Sequence, residues 1–194
     1  DCLLSRGLGD VYKRQKFRYG YPWIYSNEII SDRRTKSLLP GSFCKLVDYN
    51  KSPVCLVTVN PKSKIFARVM DYNLETTVDA YWLKDKISKA LAKRKEIFRD
   101  PFYRLVNAEA DELPGLIVDR FDNVIVMQPN AFWAENMSEI IASSIKEVCS
   151  IDVVIKNASG RSRRLEGLDD KNLVFFGDLP ETAISVPMNG AIYK

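Results

Sequence analysis

Between residues 40 and 71 the chain alternates short apolar runs with tight-turn signals, and this pattern restricts its fold more than any other feature. Pro40-Gly41 opens a turn, and Ser42–Asp48 then alternates with Phe43, Leu46 and Val47 as its apolar members. Tyr49–Pro53 turns again. Val54–Val59 and Ile65–Met70 are apolar or β-branched and flank the turn Asn60-Pro61-Lys62-Ser63. Three short strands with tight turns predict a small β-barrel or sandwich. The period then changes. Asp79 is placed to cap a helix over Ala80–Phe98, with Leu83, Ile87, Ala90, Leu91 and Phe98 on one face. The opposite face carries Lys84, Lys86, Lys89, Lys93, Arg94 and Lys95, and Asp100-Pro101 ends the helix.

A second module starts there. Arg104–Asn107, Leu116–Arg120 and Val124–Gln128 read as strands, the first two joined through the turn composition Asp111-Glu112-Leu113-Pro114-Gly115. A helix is expected over about Ala134–Val148, with Met137, Ile140, Ile141, Ile145 and Val148 facing inward. Ile151–Lys156 and Leu173–Phe176 are further strands, and Arg161–Gly167 reads as a basic loop. The fold class is therefore mixed: a small β-barrel followed by a compact α+β domain of strands, helix and strands. The expected divisions are 16–78 for the barrel, 79–100 for the basic connecting helix and 101–188 for the α+β domain, with 189–194 as the start of a further, truncated domain.

Charge divides along the same line. Residues 16–100 carry a net +8 and residues 101–194 a net −5. A basic first module suggests an anionic partner, while a merely solvated basic surface stays open as the alternative. At 46% hydrophobic and 28% charged residues the composition is that of an ordinary globular chain, and no run approaches the roughly 18 apolar residues of a membrane span. Histidine is absent, which excludes His-based triads, HExxH zinc sites and Cys2His2 fingers. Cys2, Cys44, Cys55 and Cys149 stand far apart and are expected to be apolar fillers. The glycines after residue 15 stand singly, so no phosphate-cradling loop is visible. The N-terminus is a separate matter: Ser5–Gln15 reads SRGLGDVYKRQ, the in-frame translation of a common transposase sequencing adapter. Residues 1–15 are expected to carry no functional content, and the barrel's first strand to be lost with them.

Candidate chemistry is sparse. Glu109-Ala110-Asp111-Glu112 pairs carboxylates in a turn, too few oxygens for a metal. Arg161, Arg163 and Arg164 either grip phosphate in a forked geometry or pair with Glu166, Asp169 or Asp170. In the first module, basic residues interleave with Tyr19, Tyr21, Trp23 and Tyr25, a combination suited to RNA backbone and bases. From charge and expected exposure, Arg18, Trp23, Lys62, Lys64 and Arg68 are the RNA-facing candidates.

Four stretches together resemble the bacterial ribosomal RNA large-subunit methyltransferase I family, which makes 5-methylcytosine: GYPWIYSNEI at Gly20–Ile29, VNPKSKIFARVM at Val59–Met70, YRLVNAEADELPGLIVDRF at Tyr103–Phe121 and RRLEGL at Arg163–Leu168. The resemblance covers nearly all of residues 16–194. It implies an N-terminal PUA domain that binds RNA, a central strand-helix-strand domain and a C-terminal Rossmann-like methyltransferase domain. This chain is similar to the first two parts, and VPMNGAIYK at Val186–Lys194 to the lead-in to the third. The family usually has Gly-His-Pro-Trp where this chain has Gly20-Tyr21-Pro22-Trp23. By the resemblance, the catalytic cysteine and the S-adenosyl-L-methionine loop lie beyond Lys194, so no catalytic or cofactor-binding residue falls in this chain and Cys149 is not the nucleophile. The expectation is a cytoplasmic, ribosomal-RNA-binding portion of an S-adenosyl-L-methionine-dependent cytosine methyltransferase, inactive alone and without a membrane partner. A stand-alone PUA-type module and a non-enzymatic interaction domain are the alternatives.

Overall fold

Strand β4 (Pro53–Val59) is buried along five consecutive residues, so it has no solvent face and lies between two packed layers. The computed structural model describes residues 3–5, 20–30, 32–48, 50–188 and 190–193. In the first module β1 (Leu3–Ser5), β2 (Trp23–Tyr25), β3 (Phe43–Val47), β4 and β5 (Ile65–Asp71) form one sheet in the order β1-β3-β4-β5-β2. The pairs β3–β4, β4–β5 and β2–β5 are antiparallel, and β1 lies parallel to β3. Between β2 and β3 come a single 3-10 turn at Ser26–Glu28 and the four-residue helix α1 (Arg33–Lys36), capped by Asp32.

The barrel expected from the strand pattern is corrected here to an open sheet. Its two edges, β1 and β2, are three residues each and, among the described residues, pair with β3 and β5 and not with each other, which closure of a barrel would require. One core of this sheet comprises Ile24, Ile29, Cys44, Leu46, Cys55, Val57, Val59, Phe66, Ala67 and Val69. Leu56 and Met70 belong instead to the larger core of the second module, with Phe43 packed against it.

Helix α2 (Ala80–Ile97) starts where Asp79 accepts the Trp82 amide at 2.9 Å, as its capping role requires, and buries Trp82, Leu83, Ile87, Ala90 and Leu91. The second sheet has five strands. Its strands β6 (Phe102–Asn107), β7 (Leu116–Phe121) and β8 (Val124–Pro129) form an antiparallel meander. A helical crossover leads to β9 (Val153–Lys156), parallel to β8, and β10 (Leu173–Phe176) closes the edge antiparallel to β9. Two expectations change in this module. The crossover helix is two helices, α3 (Phe132–Asn136) and α4 (Ser138–Cys149), broken at Met137. The basic loop is a helix, α5 (Arg161–Glu166), stopped by Gly167 at φ +81°. A hairpin of β11 (Val186–Met188) and β12 (Ala191–Tyr193) follows. Cys55 and Cys149 are buried, as expected of fillers, whereas Cys44 is disulfide-bonded.

Candidate nucleic-acid interface and the polar seam beneath it

Strands β2 and β5 place Trp23 directly opposite Arg68, so the two side chains share one face. The Arg68 guanidinium lies 5.8 Å from the centre of the Trp23 ring. Both donate to one carboxylate from the second module: Trp23 Nε1 to Glu109 Oε1 at 2.7 Å and Arg68 Nη1 to the same oxygen at 3.2 Å. Arg68 Nη2 reaches Glu166 Oε1 at 2.5 Å. Glu166 is further held by the β4–β5 turn, where Asn60 Nδ2 donates to its Oε2 at 2.7 Å and to its carbonyl at 3.0 Å, and Ser63 Oγ donates to Oε1 at 3.2 Å. Tyr21 meets the Trp23 ring edge-on at 6.0 Å. Its hydroxyl lies 3.2 Å from that of Tyr25, a hydrogen bond that, with burial, raises the Tyr25 pKa above its ordinary value. Asn60, Ser63, Arg68 and Glu166 are all buried. This is a polar seam between the modules, in which one guanidinium serves two carboxylates.

The candidate residues therefore fall into different settings. Arg18 lies outside the described residues. Trp23 is half-buried, with its N–H and one ring face committed to the seam. Arg68, expected to be exposed, is 8% exposed, because it stands under two carboxylates supplied from distant segments of the chain. Lys62 and Lys64 are exposed and have no carboxylate partner among the described residues. Their turn is two-sided: Asn60 and Ser63 point into the seam while the lysines stand out from it.

The carboxylate turn and the arginine cluster are mainly structural. Asp111 takes a two-pronged contact from Arg94 of α2, at 2.8 and 2.5 Å, and the Asn107 amide at 2.8 Å. Glu112 pairs with Lys86. Arg163, 1% exposed, donates to the Pro129 carbonyl, to Glu135 Oε2 at 2.8 Å and to the Asp169 carbonyl at 3.0 and 2.8 Å, which settles the open choice for that residue in favour of internal pairing. Lys156 shares Glu135 at 2.7 Å. Six ion pairs among the described residues run from cations at Arg68, Lys84, Lys86, Lys93 and Arg94 to carboxylates beyond residue 100. Much of the opposed charge of the two halves is thus mutual complementarity. The cations left exposed without such partners include Arg33, Arg34 and Lys36 on α1, Lys62 and Lys64 on the turn, and Arg161 and Arg164 on α5.

The turn from β8 into α3 is Asn130-Ala131, closed by the fully buried Trp133, whose indole donates to the Pro114 carbonyl at 2.8 Å. Cys149 is buried, and that burial pushes its thiol up to about 11, so it stays protonated near neutral pH. No group of three or more metal-ligating side chains occurs among the described residues, and no helix among them is long and apolar enough to cross a membrane. A cleft of about 290 Å³ opens at the seam beside Pro22, Tyr72, Lys86, Glu109 and Pro114, but Lys86 and Glu109 in its wall are already paired.

Comparison with known proteins agrees with this organisation. Residues 12–72 match the family model of a PUA-like domain. The ribosomal RNA large subunit methyltransferase I of Shewanella frigidimarina is 30% identical over 173 residues, covering 88% of this chain and 43% of that protein. The protein of the same name from Aliivibrio fischeri is 30% identical over 191 residues, covering 96% and 46%. The chain thus spans less than half the length of these relatives. Among solved structures, a Streptococcus mutans protein assigned provisionally to the SAM-dependent methyltransferases matches with a TM-score of 0.79 at 13% identity, over 100% of this chain and 48% of that one. A second structure, of a protein assigned provisionally as a methyltransferase and complexed with SAH, matches at 0.76 and 12%, over 99% and 46%. At these identities the structural likeness establishes the fold.

Proposed function

We propose that this chain, homologous over most of its length to the ribosomal RNA large subunit methyltransferase I proteins and corresponding to their N-terminal PUA-containing portion, grips ribosomal RNA for a methyltransferase acting on cytosine C5. In the intact cytoplasmic protein, S-adenosyl-L-methionine supplies the methyl group. The residues of this chain bind and orient the RNA and carry no step of methyl transfer. Residues 16–78 hold the RNA, the helix of 79–100 connects, and 101–188 space and orient the grip.

The observation that carries this reading is the β4–β5 turn of the PUA-like sheet. It keeps Lys62 and Lys64 exposed and without a carboxylate partner among the described residues while Asn60 and Ser63 lock onto Glu166. Cations so placed bind phosphates, and phosphate contacts set the register of an RNA without reading its bases. The Trp23 face and Arg68 behind it shape the adjoining wall, and Arg68 acts by holding Trp23 and Glu109 in place.

The test is the affinity of the chain for a labelled ribosomal RNA hairpin at several salt concentrations. Affinity is expected to fall steeply with salt. Lys62→Glu with Lys64→Glu is expected to weaken binding at least about tenfold at low salt without lowering the melting temperature. Unchanged affinity in that variant removes the turn as the grip.

A further inference from the structure

Two arginines remain unexplained by the seam. In α5 successive residues are about 100° apart, so Arg163 and Glu166 share the inward face. Arg161, Arg164 and Leu165 then fall on the outward one, and their exposure follows: all three are exposed, whereas Arg163 and Glu166 are buried. Arg161 and Arg164 have no carboxylate partner among the described residues. The helix is held against the first module by its own last residue, since both the carboxylate and the carbonyl of Glu166 are gripped by Asn60. The turn that supplies Asn60 also supplies Lys62 and Lys64. Four exposed cations without a carboxylate partner among the described residues are therefore carried by the two segments that meet at this contact.

We propose that the RNA surface crosses the module boundary at this contact, with Arg161 and Arg164 of α5 taking phosphates beyond those held by Lys62 and Lys64. The inference rests on the RNA-binding reading above. Arginine suits the role because its planar fork matches two phosphate oxygens. The Arg68–Glu166–Asn60 contact is the positioning device: it fixes the spacing of the two cation pairs, so an RNA strand that meets one pair is aimed at the other.

The experiment measures binding of a short labelled ribosomal RNA hairpin by the full chain and by three double variants that each remove two positive charges. Arg161→Gln with Arg164→Gln should lower affinity at least about tenfold at about 0.1 M salt, and should reduce the slope of log affinity against log salt by about 1.4 to 1.8. Lys62→Gln with Lys64→Gln should do the same. Lys95→Gln with Arg99→Gln, exposed in and just beyond the last turn of α2, should stay within about twofold, because neither residue belongs to the two segments that meet at the Asn60–Glu166 contact. If the α5 variant keeps full affinity while the turn variant loses it, the surface ends at the first module and the inference fails, although the proposed function stands. If the α5 and α2 variants lose affinity equally, the attraction is general and the inference also fails. If the unaltered chain does not bind the hairpin, the functional reading falls, and this inference with it.

Discussion

Arg68 has its guanidinium against an indole and two carboxylates, and solvent reaches 10% of its side chain. Taking it away leaves Glu166 as a buried charge and Glu109 as a partly buried one, neither with its cation. Arg68→Ala is expected to cost about 3–5 kcal/mol, read from chemical denaturation, and a loss under about 1 kcal/mol would show the seam to be loosely packed. Cys149 makes a different statement. Burial raises its thiol pKa to about 11, above the value of an unfolded thiol. The stabilisation linked to this group is then complete below about pH 8.5 and lost as pH rises towards about 11. Cys149→Ala should flatten that part of the stability-against-pH curve. In native protein the thiol should also react far more slowly with iodoacetamide at about pH 8 than in denatured protein.

Turns between elements carry the tightest constraints. Gly41 has φ +85°, and a Cβ there would come within 2.5 Å of Asn136 Nδ2 and 3.0 Å of the Phe132 carbonyl carbon, on α3 of the other module. Gly167 has a similar φ of +81° and open space around it. Gly41→Ala should therefore cost about 1–3 kcal/mol more than Gly167→Ala, since both carry backbone strain and one adds a clash. Strands β3, β4 and β5, the five strands of the second sheet and helix α2 were legible in the sequence because period and turn chemistry are local signals, whereas β1 and β2, three residues each, carry too little pattern and were not read as strands. Helix α5 was not: it has six residues, and its inward face is made of Arg163 and Glu166, which no hydrophobic pattern reveals. The break at Met137 was hidden inside a continuous apolar stripe. At the candidate site, Lys62 and Lys64 were recognisable from a basic turn between strands. The burial of Arg68 was not, because its partners lie 41 and 98 residues further along the chain.

Across the whole molecule the two modules share apolar and polar contacts. Leu56 and Met70 of the first sheet sit in one cluster with Trp82, Leu105 and Trp133. A single denaturant transition is expected, coincident by far-ultraviolet circular dichroism and by tryptophan fluorescence from Trp23, Trp82 and Trp133, whereas two separated transitions would mean that the modules unfold independently. Asp169 is held below its ordinary pKa by the Lys171 amide, and Asp32 by the Thr35 amide. Asp71 is also lowered: burial pushes it up, but the Asn73 amide, the Trp82 indole and Lys86 outweigh that. These carboxylates contribute stability above about pH 4 that is lost as pH falls through their folded values.

The doubly buried β4 also bears on how the molecule can be divided. A cut after residue 78 would hand Leu56 and Met70 to water and strip Arg68 of both counter-charges at once. The severed sheet would then be a sticky, cation-heavy plate, prone to coat itself with other copies or with any polyanion at hand. RNA capture by such an isolated piece would report on the wound left by the cut, which makes the undivided pair of modules the smallest unit on which the proposed RNA grip can be tested.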